Sequence, residues 1–341
     1  MTAAIQQSAL SVIVPTYNRA PLVQECVRSL RNCGLAELEI IVVDDGSTDN
    51  TVEHFREPPP GVVYLQQPNR GVAAARNLGF AHSKGRYVAF LDSDDTWLPN
   101  VPGRAVALLD RHSSVDLLFC DGRMGNPEEG FRSLIERFGQ QAFFDLPHTR
   151  PEPGLRVLDR QPFFQRMLQR NAIFLGAVLM RREAFARLGG FDPERSGTAD
   201  WELCLRMTSQ MTAAYWPEPL VIYSIHSQNM SGNRDRMLRD AYLSLASLVA
   251  KCPHVNSSEK RLIRRGYNNL LFDRAYLAYD RGDYGEARRR FAQLLRECPT
   301  HGMGFLYWLA CTLPFGFIQR LRKLKWSFSG SVLSNGRTVC E

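Results

Sequence analysis

The chain has 341 residues, of which 44% are hydrophobic and 23% charged; this balance excludes a disordered chain and accommodates one large α/β domain with an appendage. Its formal net charge of +7 is not accompanied by the interleaved aromatic residues or known modules of nucleic-acid-binding proteins, so we expect no nucleic-acid partner. The eight cysteines are scattered singly, without a Cys-x-x-Cys pair or a Cys/His cluster, which argues against a zinc site and a disulfide framework and predicts a reducing, cytoplasmic setting.

The N-terminal part of the chain alternates between short apolar runs and segments with helical spacing. The first ten residues lack the charged start and apolar core of a signal peptide. Because strands that are separated by helices are joined by crossovers, the pattern predicts an α/β fold with a mainly parallel central sheet and helices on both faces. The runs typical of buried strands lie at 9–14, 38–43, 62–65 and 87–91, and the helical patterns between them at 21–30, 48–56 and 71–82.

The pattern is less regular from about 122 to 170, where prolines mix with aromatic and charged residues. We interpret this stretch as an insertion or as a region that contributes to substrate recognition. A strand at 174–180, a helix that ends at Leu188, a helix at 200–207 and a strand at 221–226 follow. The sequence thus predicts an α/β domain over 1–235 and a helical C-terminal extension over 236–341.

An apolar, aromatic segment at 304–318 is too short, and too interrupted by Pro314, to predict a membrane span. The basic run Arg320-Leu321-Arg322-Lys323-Leu324-Lys325 follows it directly. Such a pair of segments is typical of chains that lie in the interface of an anionic membrane. Burial against the rest of the protein explains the apolar part equally well. Peripheral contact through about 304–325 at the inner membrane face is therefore one of two open interpretations.

Polar residues that can do chemistry stand where the predicted strands end, which is where parallel sheets bind ligands. Asp92 and Asp94 are one residue apart and can face one divalent cation, although Asp-x-Asp alone also occurs in turns and helix caps. A carboxylate such as Asp45 can accept a base N–H, and Tyr17 offers a flat face for stacking. Arg76 can offset phosphate charge.

These segments closely resemble the family 2 glycosyltransferases of GT-A fold, over about the first two thirds of the chain and in the expected order. One departure is Ala199, where the family usually has Glu before the aspartate. The resemblance is carried by Val12-Ile13-Val14-Pro15-Thr16-Tyr17-Asn18, Val42-Val43-Asp44-Asp45-Gly46-Ser47, Gly71 to Gly79, Phe90-Leu91-Asp92-Ser93-Asp94-Asp95, Leu188-Gly189-Gly190-Phe191-Asp192, Ala199-Asp200-Trp201-Glu202 and Tyr223-Ser224-Ile225-His226.

The resemblance implies a specific role for each of these positions. Asp200 corresponds to the catalytic base, and Asp94 to the residue that holds Mn²⁺ or Mg²⁺ at the donor diphosphate. His226 falls where some members place a second metal or diphosphate ligand, and a structural histidine is the alternative. The nucleotide-sugar site would comprise Pro15, Thr16, Tyr17, Asp45, Arg76, Asp92 and Ser93.

The implied reaction is an inverting transfer from a nucleotide-sugar donor, expected to be UDP-linked, to a hydroxyl of a saccharide or lipid-linked acceptor. Polysaccharide, glycolipid or glycoconjugate biosynthesis is the expected setting. A dehydrogenase would need Gly-x-Gly-x-x-Gly after the first strand, where this chain has Pro15-Thr16-Tyr17-Asn18, and a nucleotidylyltransferase would need a glycine-rich loop there. The remaining alternative is an inactive, glycosyltransferase-like scaffold protein.

Overall fold

A computed structural model describes residues 9–126, 130–137, 145–171, 173–195, 197–224 and 234–313. The chain divides into two compact units, one comprising Met1–Met167 with Asn171–Asn229 and the other comprising Leu168–Arg170 with Met230–Glu341. The helices are α1 (Ala20–Arg31), α2 (Thr51–His54), α3 (Val72–His82), α4 (Val101–Arg111), α5 (Leu134–Arg137), α6 (Arg160–Gln169), α7 (Arg182–Leu188), α8 (Ala199–Gln210), α9 (Arg234–Lys251), α10 (Ser257–Asp280), α11 (Tyr284–Glu297) and α12 (Gly302–Ala310).

Within the described residues, eleven strands form one sheet in the first unit. Its main path runs β3-β2-β1-β4-β10-β6-β11-β9-β8, with β5 paired to β11 and β7 to β6. The strands are β1 (Leu10–Thr16), β2 (Leu38–Asp44), β3 (Val62–Gln66), β4 (Tyr87–Phe90), β5 (Thr96–Trp97), β6 (Leu117–Asn126), β7 (Gly130–Ser133), β8 (His148–Thr149), β9 (Arg156–Leu158), β10 (Val178–Arg181) and β11 (Ala213–Ser224).

The four strands predicted from the first apolar runs are confirmed, and all three of their pairings are parallel. Every residue of β1 is buried, as expected for a parallel sheet covered by helices. Ile13 packs on the α3 side, where a Cβ at Gly79 would lie 2.4 Å from its Cγ2. Glycine at that position therefore allows the helix to approach the sheet closely.

The second half of the sheet changes direction at β10. This strand lies antiparallel between β4 and β6, and β11 then runs parallel to β6. The helix predicted at 48–56 corresponds to α2, which is shorter than expected. The strand predicted to begin at 221 corresponds to the last part of β11, which begins earlier, at Ala213. The irregular stretch contributes the second half of β6 together with β7, α5, β8, β9 and α6.

The second unit is helical, as the sequence predicts, and its described part contains α9 to α12. Asn256 and Glu259 form a reciprocal capping box that begins α10. Arg290 of α11 donates to Asp235 of α9 at 2.6 Å. Ring packing fills the core of this unit, with Phe291 fully buried. Among the described residues, no helix combines the length and the hydropathy that crossing a bilayer requires.

Candidate active site

The turns that follow β1 and β2 interlock at the carboxyl end of the sheet. Asn18 has a left-handed φ of 53°, and its Oδ1 accepts the Thr48 N–H at 2.7 Å. The Asn18 N–H in turn donates to Ser47 Oγ at 2.8 Å. Asp44 closes its own turn by accepting the Ser47 N–H at 2.8 Å. Tyr17 is left 45% exposed on this rim, with its ring available for stacking.

Asp45 is buried beneath the loop that leads into α3. Its Oδ1 accepts Gln67 Nε2 at 2.7 Å and the Arg70 N–H at 2.8 Å, and its Oδ2 accepts the Gly71 N–H at 2.7 Å. A carboxylate offers about four lone-pair sites, so these three hydrogen bonds leave room for one more donor. Asp45 therefore both fixes this loop and retains the capacity to accept a base N–H.

Three carboxylates converge directly after β4. The ligand oxygens of Asp92, Asp94 and Asp95 all lie within 4.8 Å of one another. Asp95 is buried and accepts the Ser224 N–H at 3.2 Å. Burial raises the pKa of Asp95 well above its ordinary value, and the charges of Asp92 and Asp94 raise it further. Asp95 was not among the metal ligands predicted from the sequence, although it directly follows Asp-x-Asp.

Two guanidinium groups flank this acidic cluster. Arg19 Nη1 donates to Asp94 Oδ2 at 2.7 Å, and both side chains are largely buried. Arg76 Nη2 donates to Asp92 Oδ1 at 2.6 Å. The cluster consists only of hard oxygen donors in a mutually repulsive group, which is the chemistry that suits Mg²⁺ or Mn²⁺. The residues present therefore fit the divalent cation that the resemblance implies.

Arg76 is the cation at the base of the site. It is 5% exposed, its guanidinium carbon lies 5.1 Å from the centroid of the Phe191 ring, and its Nε has no hydrogen-bond partner among the described residues. Thr16 Oγ1 at the end of β1 is likewise buried without a partner among those residues. Buried polar atoms are normally paired, so these two atoms are exceptions to that rule.

Asp200 is the second residue of α8, where the positive end of the helix dipole stabilises a carboxylate. Its side chain is exposed, yet the surrounding protein excludes enough water to raise its pKa above the ordinary value. The charge of Arg76 opposes this shift, as does the Trp201 N–H, and the charge of Asp92 adds to it. Asp200 is thus electrostatically coupled to Arg76 and Asp92, and a raised pKa makes its carboxylate a stronger base.

A buried network positions α8 against the loop before it. Arg206 and Glu202 form a two-pronged ion pair at 2.9 and 2.6 Å. The same guanidinium donates to the carbonyl oxygens of Leu188 and Gly190, both at 2.8 Å. The helix that carries Asp200 is therefore fixed to the turn at Gly189-Gly190 that precedes it, which we call the glycine turn.

Asn77 of α3 completes this network from the opposite side. Its Nδ2 donates to the Phe191 carbonyl at 2.9 Å, and its Oδ1 accepts the Phe191 N–H at 2.8 Å. Gly190 has a φ of 80°, and a Cβ there would lie 2.6 Å from Asn77 Oδ1. The pairing holds the Phe191 ring under the guanidinium of Arg76.

We expect Asn77→Ala to lower the free energy of unfolding by about 2 kcal/mol, since it leaves two buried backbone groups of Phe191 without partners. Chemical denaturation followed by fluorescence measures this loss. Asn50→Ala is the matched control, because Asn50 is exposed and makes no side-chain cap hydrogen bond. Equal losses in the two variants would contradict the assigned role of Asn77.

The remaining predicted site residues are placed as follows. Pro15 and Ser93 are buried, the first within β1 and the second inside the acidic turn. His226 lies outside the described residues, so its role as a ligand remains a prediction. Arg19 and Asn77 were not selected from the sequence, although Arg19 directly follows the motif that ends at Asn18 and Asn77 lies within the segment from Gly71 to Gly79.

A sequence profile of glycosyl transferase family 2 matches residues 11–189, a range that contains the acidic cluster and Arg76. The chain belongs to glycosyltransferase family 2. The first unit is accordingly a glycosyltransferase domain, and the Asp-x-Asp sequence at 92–94 is typical of the family. The family predicted from the sequence is thereby confirmed.

Relatives of this transferase are named as glycosyltransferases or as polysaccharide synthases. An uncharacterized glycosyltransferase of Haemophilus influenzae is 24% identical over 229 residues, which cover 66% of this chain and 71% of that protein. Chondroitin synthase of Pasteurella multocida is 33% identical over 122 residues, which cover 35% of this chain and 13% of the synthase.

Solved structures show the same fold. The structure of S. aureus TarS residues 1–349 in complex with UDP superposes with a TM-score of 0.60 at 17% identity and covers 92% of this chain and 91% of that one. The mannosyltransferase PcManGT from Pyrobaculum calidifontis, in complex with GDP-Man and Mn²⁺, gives a TM-score of 0.56 at 18% identity and covers 95% and 82%. The transferase has the GT-A fold, as its sequence predicts.

Proposed function

We propose that this transferase passes a sugar from a UDP-linked donor to a hydroxyl acceptor with inversion at the anomeric carbon. The observation that carries the proposal is the convergence of three carboxylates with Arg76, whose charge also reaches Asp200. This arrangement combines a site for a nucleoside diphosphate and its cation with a carboxylate that is poised to accept a proton.

The donor would lie across the carboxyl ends of β1, β2 and β4. Tyr17 is exposed on the rim for base stacking, and Asp45 retains one acceptor position for a base N–H. Arg76, which pairs with Asp92 at 2.6 Å, is positioned beside the acidic cluster to offset phosphate charge. A divalent cation held by Asp94, with Asp92 and Asp95 beside it, would neutralise charge that develops on the leaving diphosphate.

Asp200 would act as the general base. The acceptor oxygen attacks the anomeric carbon while its proton passes to the Asp200 carboxylate, and the bond from that carbon to the diphosphate oxygen breaks. The bonding electrons leave with the nucleoside diphosphate. A single displacement of this kind inverts the configuration and requires no covalent intermediate with the protein. Ala199, in place of the usual Glu, leaves Asp200 without a neighbouring carboxylate on the preceding residue.

The expected substrates and setting rest on similarity. Structures of TarS contain UDP and UDP-GlcNAc, which favours UDP as the donor nucleotide here. The PcManGT structure contains GDP-Man, so GDP is the alternative nucleotide. The matched synthases of chondroitin and hyaluronan favour a saccharide acceptor and polysaccharide or glycoconjugate biosynthesis. The seven cysteines of the described residues are free, which supports a cytoplasmic site of action.

A nucleotide panel tests this proposal. We expect UDP with Mn²⁺ to raise the unfolding midpoint by about 5–10 °C at ligand concentrations near 100 times Kd, and UDP without metal to raise it much less. GDP, CDP and TDP with Mn²⁺ serve as comparisons. A larger shift with GDP would replace the UDP assignment, and no shift with any nucleotide and Mn²⁺ would refute the donor site.

A further inference from the structure

Helix α12 has one face that packs into the helical unit. The Tyr307 ring lies 5.1 Å from Tyr279, 5.3 Å from Tyr276 and 5.6 Å from Phe291, measured between ring centroids. Gly304, one turn earlier, is also buried. These contacts fix the orientation of the helix and therefore determine which of its residues point outward.

The opposite face of α12 is apolar and exposed. Five of the nine exposed large hydrophobic side chains in the described part of the chain fall between 303 and 313, with exposed fractions of 37–58%. Single exposed apolar residues are common, but a contiguous patch of this kind marks an interaction surface. We call it the α12 patch; it consists of Met303, Phe305, Leu306, Leu309 and Leu313.

Aromatic and basic side chains border the α12 patch. Phe305 stacks with Trp308 at a centroid distance of 6.2 Å, and the Arg288 guanidinium of α11 lies 5.9 Å from the Trp308 ring. Aromatic rings between an apolar surface and cationic groups are typical of helices that lie at the level of lipid head groups.

The sequence after the α12 patch is strongly basic. No Asp or Glu stands between Glu297 and Glu341. This segment lies outside the described residues, but its sequence alone gives it a positive charge that attracts anionic lipid. The five basic residues in that interval are Arg320, Arg322, Lys323, Lys325 and Arg337.

We propose that the α12 patch and the basic residues that follow it dock this transferase on an anionic membrane surface. The exposure of one α12 face, with Tyr307 directed inward, supports this partner over complete burial of the segment. A second copy of the chain fits less well, since the sequence that follows each patch has five basic residues and no acidic residue before Glu341, and like charges disfavour self-association. The docking is independent of the donor and acceptor chemistry.

Vesicle co-sedimentation of the full chain tests this surface. We expect binding to vesicles of phosphatidylcholine with phosphatidylglycerol, binding to pure phosphatidylcholine that is at least tenfold weaker, and loss of binding as salt rises. Equal binding to both vesicles, or no binding to either, would overturn the proposal.

Matched variants assign the binding to the α12 patch. Phe305→Ser with Leu306→Ser is expected to weaken partitioning at least tenfold, and Arg322→Gln with Lys323→Gln by a similar factor. Val249→Ser is the control, because Val249 is an exposed apolar residue on α9. Unchanged unfolding midpoints show that the variants fold. Membrane docking is refuted if both double variants bind vesicles as the native chain does. It is also refuted if the native chain is a dimer without lipid and only Phe305→Ser with Leu306→Ser dissociates that dimer.

Discussion

Asp94→Asn is expected to abolish the metal-dependent part of donor binding while the protein stays folded. The substitution keeps an oxygen that can accept the 2.7 Å hydrogen bond from Arg19, but it removes a negative charge from the acidic cluster. Even outer-shell partners of a bound metal contribute about 10–100-fold to its affinity. We therefore expect Mn²⁺ affinity, measured by titration calorimetry in the presence of UDP, to fall by about 100-fold or more.

Asp110→Asn is the matched control for this experiment. Asp110 is an exposed carboxylate on α4 that pairs with Arg86 and accepts the Tyr87 hydroxyl, both at 2.7 Å. Its substitution removes the same charge at the start of β4, whereas Asp92 and Asp94 follow the end of that strand. Its Mn²⁺ affinity should equal that of the native chain. If Asp94→Asn bound Mn²⁺ as tightly as this control, the acidic cluster would not be the metal site.

The sheet and the location of the site were predictable because both depend on local patterns. The apolar runs at 9–14, 38–43 and 87–91 predict strands, and the parallel register of the first two sets Thr16 opposite Asp44. Carboxylates beyond neighbouring strand ends must therefore meet at one edge of the sheet. The family 2 resemblance, confirmed by the profile match, placed the same residues in a glycosyltransferase.

The partners of these residues were not predictable, because they depend on packing between distant segments. Arg19 and Asp94 are 75 residues apart in the chain, and Asn77 and Phe191 are 114 apart. No periodicity links such pairs. Asp95 stands beside the recognised motif, but only the fold shows that its carboxylate joins the cluster instead of pointing away.

The two faces of α12 have different surroundings, one packed in the helical unit and one exposed. Its aromatic composition predicted either burial or membrane contact. The structure directs Tyr307 inward and Leu306 outward, so adjacent residues on α12 serve different surfaces. Composition alone does not separate the faces of so short a helix when both are apolar.

Asp200→Asn is expected to separate chemistry from binding. The amide cannot accept the acceptor's proton as a carboxylate does, and general bases contribute about 10²–10⁴-fold to rate. We therefore expect kcat for UDP release in the presence of an acceptor to fall about 10³-fold. The Kd for UDP with Mn²⁺ should change little, since the acidic cluster and Arg76 are retained in this variant.

Glu194→Gln provides the control for Asp200→Asn, since Glu194 is an exposed carboxylate on the segment before α8 and should leave kcat unchanged. The raised pKa of Asp200 sets a second criterion. A general base must be deprotonated to act, so native kcat should fall as pH drops through that pKa, which lies above the ordinary range of a carboxyl. If Asp200→Asn retained more than a tenth of the native kcat, another group would transfer the proton. If the variant lost UDP binding together with turnover, Asp200 would belong to the donor site.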